Sequence, residues 1–191
     1  MDKRKYDEEH LLETRHEEIL AQELKNAYPL LRRPVFSKVI ALLRCIPLWA
    51  KLHFDSLENK KLQKEEERTP KKHPVRPIRG QIFNAEIGEN IGSELSGNHL
   101  VIIIQNSKGN IYSEKVNVVP IEGDGNKIKP SVHLKLTNED LEFGHLDKDP
   151  SRVIFADIMT IDKARLGRRI GQIKSVKLEE ICNKIKEQLE L

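Results

Sequence analysis

The chain has 191 residues, 38% of them hydrophobic and 33% charged, which is enough apolar material for one domain or two small ones and excludes a wholly disordered polypeptide. The formal net charge of +3 conceals an uneven spread. Residues 1–24 hold 4 basic and 8 acidic side chains, residues 25–79 hold 14 and 5, and residues 80–191 hold 15 and 17. A basic middle of this kind attracts a polyanion such as RNA, an anionic membrane surface or an acidic partner, or is simply a solvated surface with its linker.

In chain order, residues 7–27 are rich in Glu, Leu, Ala and Lys. Leu12, Ile19, Leu20, Leu24 and Ala27 share one face at helical spacing, which predicts an amphipathic helix ending before Pro29. A second helical pattern follows Pro34, with Val35, Val39, Leu42, Leu43 and Ile46 apolar, and Pro47 is expected to kink or interrupt it before residues 48–57. Residues 1–58 therefore read as a helical hairpin or an extension from the body. The apolar run 35–52 is broken by Lys38, Arg44, Pro47 and Lys51, so a membrane span of roughly 20 uncharged residues is disfavoured. No secretory leader is expected either, because the acidic N-terminus lacks an apolar run before a small-residue cleavage site. Residues 59–76 carry Lys60-Lys61, Glu65-Glu66-Glu67 and Lys71-Lys72 with prolines and no apolar period. They read as a linker, or as the exposed end of a helix followed by an extended strap.

Past the linker the period becomes strand-like. Segments 81–87, 100–105, 116–121, 132–136 and 153–158 are short and rich in Ile and Val, and turn signals such as Gly92, Lys108-Gly109-Asn110 and Gly123-Asp124-Gly125-Asn126 separate them. That pattern suits a small, strongly curved sheet or barrel. Residues 176–189 return to helical period through Leu178, Ile181, Ile185 and Leu189. The class is α+β. Two cysteines, Cys45 and Cys182, make neither a disulfide framework nor a metal-ligand cluster, so no metal or cofactor is expected and a reducing cytoplasm fits.

Three stretches carry a resemblance. They are Arg79-Gly80-Gln81-Ile82-Phe83-Asn84-Ala85-Glu86, then Gly92-Ser93-Glu94 through His99-Leu100-Val101-Ile102-Ile103-Ile104-Gln105-Asn106, then Thr160-Ile161-Asp162-Lys163-Ala164-Arg165-Leu166. In order and spacing, over residues 77–191, the chain resembles the PemK/MazF family of toxin ribonucleases. The resemblance implies an SH3-like barrel with a long loop between its first two strands and a C-terminal helix, a homodimer, and sequence-selective, metal-independent cleavage of single-stranded RNA countered by an antitoxin. Residues 1–76 lie outside it.

Toxins of this type usually place an Arg at the start of the second strand and a Ser or Thr near the end of the third. Here those positions are His99 and Glu122, and Met159 stands where many members carry another Arg. Cleavage through the 2′-hydroxyl needs a base, an acid and donors around the phosphorane oxygens. A histidine carries protons at neutral pH better than an arginine does, and a glutamate can hold its tautomer or act as the base itself, so His99 and Glu122 are the expected catalytic pair. The alternative is a degenerate site, in which a carboxylate repels the phosphate and the fold persists as a nucleic-acid-binding or regulatory module.

Gly92, Ser93, Glu94 and Asn98 lie on the expected loop and are candidates for RNA contact. Gln105 and Asn106 end a strand, where their amides either satisfy turn backbone or reach the ligand, and Ser113 is a candidate phosphate donor by resemblance. Asp157 is expected on a strand facing the same side as Met159. In the third stretch, Thr160 or Asp162 is expected to cap a helical turn, Ile161 and Leu166 to pack inward, and the basic residues to stay exposed. The N-terminal region could cover the RNA groove, or merely add dimer surface.

Overall fold

The computed structural model describes residues 13–32, 35–67, 69–125 and 127–191, and divides into two compact units, one reaching to Phe54 and one spanning Asp55–Leu191. The predicted residues Asp7 to Leu12 of the first helix lie outside the described residues. Helix α1 covers Thr14–Leu30 and buries none of its residues. It runs through Pro29, against the sequence expectation, because a proline in the last turn forfeits only one backbone bond. Helix α2 covers Phe36–Glu65 without interruption at Pro47, which corrects the expected break there. A single missing bond is tolerated in a 30-residue helix that is hydrogen-bonded on both sides of the lesion. Residues 59–65, read as linker or helix end, are its last turns. Among the described residues no helix is long and apolar enough to cross a membrane.

The second unit is built on eight antiparallel strands: β1 (Gln81–Gly88), β2 (Gly97–Ile103), β3 (Lys115–Glu122), β4 (His133–Leu136), β5 (Leu141–Gly144), β6 (Ser151–Ile154), β7 (Met159–Asp162) and β8 (Leu166–Ile173). Helix α3 (Ser107–Tyr112) follows β2, and helix α4 (Ser175–Leu189) closes the chain. The strands run in the order β4-β6-β3-β2-β1-β8-β5, with β7 also on β3. The two ends of that path, β4 and β5, are joined by only residues 137–140. A sheet whose opposite ends are covalent neighbours must curl back on itself, and the fold is the curled SH3-like half-barrel expected from the sequence.

Both faces of the central strands are covered. One core holds Ile82, Ile102, Val119, Ile121, Leu136 and Leu141, with Ile181 of α4 sealing it. The other takes the alternate residues Ala85, Val101, Ile103, Val116 and Val118. Burial on both faces is why β2 reads as an unbroken apolar run rather than an alternating one. Ile102 is wholly buried, and truncating such a side chain to Ala costs about 2–5 kcal/mol.

Four elements were not anticipated as such: α3, β5, β7 and β8. The segment 153–158 is also shorter than expected, since β6 ends at Ile154 and the chain turns there, with Asp157 N–H bonding the Ile154 carbonyl at 3.1 Å. Asp157 is therefore not on a strand.

The third family-like stretch behaves differently from its reading. Asp162 caps the 3-10 turn Lys163–Arg165, accepting from Ala164 N–H at 2.8 Å, and Ile161 packs inward as expected. Lys163, expected to be exposed, is completely buried, and its Nζ donates to the Asn110 carbonyl at 2.7 Å. Burial pushes its pKa down to about 8, with the Asp162 carboxylate opposing the shift. The sequence showed a lysine in a charged heptapeptide. Only the fold shows that α3 lies over it.

Around this lysine the segment preceding β1 is tied down. Ser56 Oγ donates to Asp162 Oδ2 at 2.8 Å, Gln63 Nε2 donates to the Tyr112 carbonyl at 3.0 Å, and His73 N–H donates to the Ile111 carbonyl at 2.8 Å. His73 is itself buried, and its pKa is lowered mainly by that burial, with the Lys163 charge adding to the effect and its Val75 backbone bond opposing it.

Candidate active site

The expected catalytic residues meet at one end of the sheet. In the β2–β3 ladder Leu100 pairs with Ile121, so the next position places His99 opposite Glu122; in the β3–β6 ladder Glu122 pairs directly with Arg152. Three adjacent strands thus align His99, Glu122 and Arg152 in a row. His99 and Glu122 border an open cavity of about 1070 Å³, and Asn98 shares its rim.

Local bonds fix both groups. His99 Nε2 lies 2.8 Å from the Ser96 carbonyl, which can only accept, so Nε2 carries the proton and the neutral ring leaves its lone pair on Nδ1. Glu122 Oε2 accepts from Arg152 Nε at 3.0 Å and also from Nη2, while Arg152 Nη1 donates to the Lys127 carbonyl at 2.8 Å. Both contacts fall on the same carboxylate oxygen. The Arg152 and Glu122 side chains are only 18% and 28% exposed, so solvent screens this pair less than a surface one.

The sequence reading missed a second segment of the cavity lining. Gly144 sits at φ +96, and a Cβ there would lie 2.3 Å from the Ile170 carbonyl, so the chain can turn in contact with β8 only at a glycine. Leu146 is buried, and Asn138 brackets its backbone by accepting from its N–H at 2.7 Å and donating to its carbonyl at 3.3 Å. His145, between these two anchors, is exposed on the cavity, whose lining also includes Lys148 and Arg168 of β8. The segment 144–150 reads as a polar turn in sequence. A histidine between a glycine and a leucine at a strand end was its one signal, and Arg152 gave none, because its partner is 30 residues away.

The remaining expected residues divide between two other places. Ser93, Glu94 and Asp157 border a separate hollow of about 560 Å³, together with Met159 and Arg165. Its loop is internally bonded: Asn90 N–H donates to Ser96 Oγ at 2.9 Å, and Ile91 N–H to Glu94 Oε2 at 3.0 Å. Gly92 stands at φ +60 with open space around it. Arg165 Nη1 donates to the Glu86 and Ile87 carbonyls, both at 2.9 Å, and so holds the root of this loop.

Gln105, Asn106 and Ser113 border neither hollow. Gln105 donates to the Lys115 carbonyl at 3.1 Å and accepts from Asn117 N–H at 3.2 Å. Asn106 caps α3 by accepting from Gly109 N–H at 2.8 Å, and Ser113 Oγ accepts from Lys115 N–H at 3.0 Å. All three serve turn backbone, one of the two roles open to the amides in the sequence reading.

Comparison with known proteins gives a consistent picture. Residues 78–189 match the family described as PemK-like, MazF-like toxin of type II toxin-antitoxin system. The chain is 36% identical over 107 residues to the endoribonuclease MazF of Staphylococcus saprophyticus, a match covering 56% of this chain and 86% of that protein. Among solved structures, MazF from Deinococcus radiodurans is 15% identical with a TM-score of 0.49, covering 60% of this chain and 97% of that one. An endoribonuclease in complex with its cognate antitoxin from a mycobacterial species is 19% identical with a TM-score of 0.46, covering 61% and 95%. With the family match spanning more than half of its length, the chain belongs to the PemK-like, MazF-like toxins of type II toxin–antitoxin systems.

Proposed function

We propose that this chain is a sequence-selective endoribonuclease toxin of the cytoplasm, which cleaves single-stranded RNA through the RNA's own 2′-hydroxyl without a metal, acts as a homodimer and is countered by an antitoxin. The observation that carries this reading is the His99–Glu122–Arg152 row beside an open cavity, in a chain 36% identical to an endoribonuclease. The Nδ1 lone pair of His99 takes the 2′-hydroxyl proton. Glu122, bound through Oε2, turns its other oxygen to the hydroxyl and orients it. Positioned side chains and RNA's internal nucleophile supply the chemistry of base and alignment, which needs no metal-bound water. Gly92, Ser93, Glu94, Asn98 and Asp157 stand around the loop proposed to contact the RNA, while Gln105, Asn106 and Ser113 hold the turn at the other end of β2.

The test is incubation of the full chain with a mixed-sequence RNA in excess chelator. Cleavage is expected, leaving a 2′,3′-cyclic phosphate, and His99→Ala is expected to abolish it. The engagement of Glu122 by Arg152 favours one second reading, a binding module without turnover. RNA retention with no cut product would establish that one and sink the first.

A further inference from the structure

Cleavage through the 2′-hydroxyl moves two protons, one from the attacking oxygen and one to the departing 5′-oxygen. The row described above accounts for the first only. His99 is assigned as the base, and Glu122 is engaged by Arg152 as a hydrogen-bond acceptor. Resting on the ribonuclease reading of this site, we infer that His145 is the general acid of the reaction, a second catalytic histidine supplied by the loop after β5.

The fold supports this in three ways. His145 borders the same cavity as His99. Its backbone is fixed on both sides, by the close approach of Gly144 to β8 and by the burial and Asn138 bonds of Leu146, so an exposed ring is presented from an anchored stem. The other candidate donors are poor ones. Arg168 is a guanidinium, which does not release a proton in a protein, and the stem of Lys148 passes over Gly123. A histidine is the side chain suited to giving a proton there. Glu122, Asp124 and Asp147 are the carboxylates of the cavity, and Asp124 pairs with Lys127 at 3.4 Å.

The step balances. The 2′-hydroxyl proton passes to His99 Nδ1 as the O2′–P bond forms; the P–O5′ bond breaks, and the 5′-oxygen takes a proton from the His145 imidazolium. The products are a 2′,3′-cyclic phosphate and a 5′-hydroxyl, with His99 now protonated and His145 neutral. Exchange with water resets both rings.

The experiment uses the full chain and an RNA oligonucleotide containing the mapped cut site, made with either oxygen or sulfur as the bridging 5′-atom. A thiolate departs without protonation, so sulfur removes the need for the acid but not for the base. His145→Ala is expected to slow cleavage of the oxygen substrate by about 100-fold or more, to lose the alkaline limb of the pH–rate profile, and to cut the sulfur substrate within a few-fold of the wild-type rate. His99→Ala should stay slow on both substrates and lose the acid limb. His145→Asn, which keeps a polar side chain of similar reach, should behave as the alanine variant does. If the wild type cuts and His145→Ala cuts equally fast, or is slowed alike on both substrates, the acid role is overturned while the ribonuclease reading stands. If the wild type cuts neither substrate, the ribonuclease reading fails and takes the acid role with it.

Discussion

Two polar clusters of the second unit use similar side chains and are put to opposite uses. At the open end, His99 and Glu122 border a cavity, and Arg152 holds Glu122 from the next strand. In the interior, His73 and Lys163 are buried beneath α3 and the segment leading into β1, with Asp162 half-buried beside them. Each holds a histidine, a carboxylate and a cation. What separates them is water. The open row borders a cavity, whereas in the closed cluster desolvation dominates the ionisable groups, lowering both the His73 and Lys163 pKa values.

The contrast can be broken by four measurements. The largest effect is expected for His99→Ala, which removes the proposed base and should lower kcat by about 10²–10⁴-fold with an unchanged Tm. A parallel fall in Tm would show that His99 is structural instead. Next, Lys163→Ala should lose about 3 kcal/mol of stability, from the emptied volume and the unpaired Asn110 carbonyl, while kcat per folded molecule stays at the wild-type value. Chemical unfolding followed alongside RNA cleavage reads both quantities.

Third, two truncations probe the cover of the closed cluster. A chain starting at Asp55 keeps the bonds from Ser56, Gln63 and His73, and one starting at Pro77 loses all three. The shorter chain should be less stable by about 2 kcal/mol, at roughly 1 kcal/mol or less per bond. Equal melting points would mean that this segment is not a structural cover.

The smallest effect is the pH dependence. The folded state releases the Lys163 proton near pH 8 and the unfolded chain near 10.5, so between these values the unfolded chain binds more protons. This group's contribution to stability therefore rises with pH across that window and is least below 8, by about 1–2 kcal/mol between pH 8 and 9.5. Lys163→Met should flatten the rise. His73 has the same sign at lower pH: its folded pKa lies below 6.5, so its contribution is lost as the pH falls from 6.5 through the folded value.

Much of the architecture was legible because period and turn chemistry are local. The runs at 81–87, 100–105 and 116–121 became β1, β2 and β3, and the helical period after Ser175 became α4. Leu141–Gly144 and Leu166–Ile173 were not seen as strands. The first is four residues long, and the second alternates arginines and glycines whose place is set by pairing with β1 and β5. Pro29 and Pro47 misled in the same way, since a local rule about one missing bond was outweighed by the rest of each helix.

For the site, the positions of His99 and Glu122 followed from the family-like spacing, and the β2–β3 register brings them side by side. Arg152, His145 and the burial of Lys163 did not follow. Each depends on a neighbour far away in the chain: Glu122 across a ladder, the cavity across the curled sheet, and Asn110 over 53 residues.

By itself, then, the sequence determined the strands, the closing helix, the family and the two residues at the mouth of the site, because hydropathy period, glycine turns and motif spacing are properties of short segments. The tertiary structure alone decided which charges meet water and which are sealed from it. Curling the sheet until β4 and β5 became neighbours brought one histidine-bearing loop to the cavity, and laying α3 over Lys163 closed the other cluster.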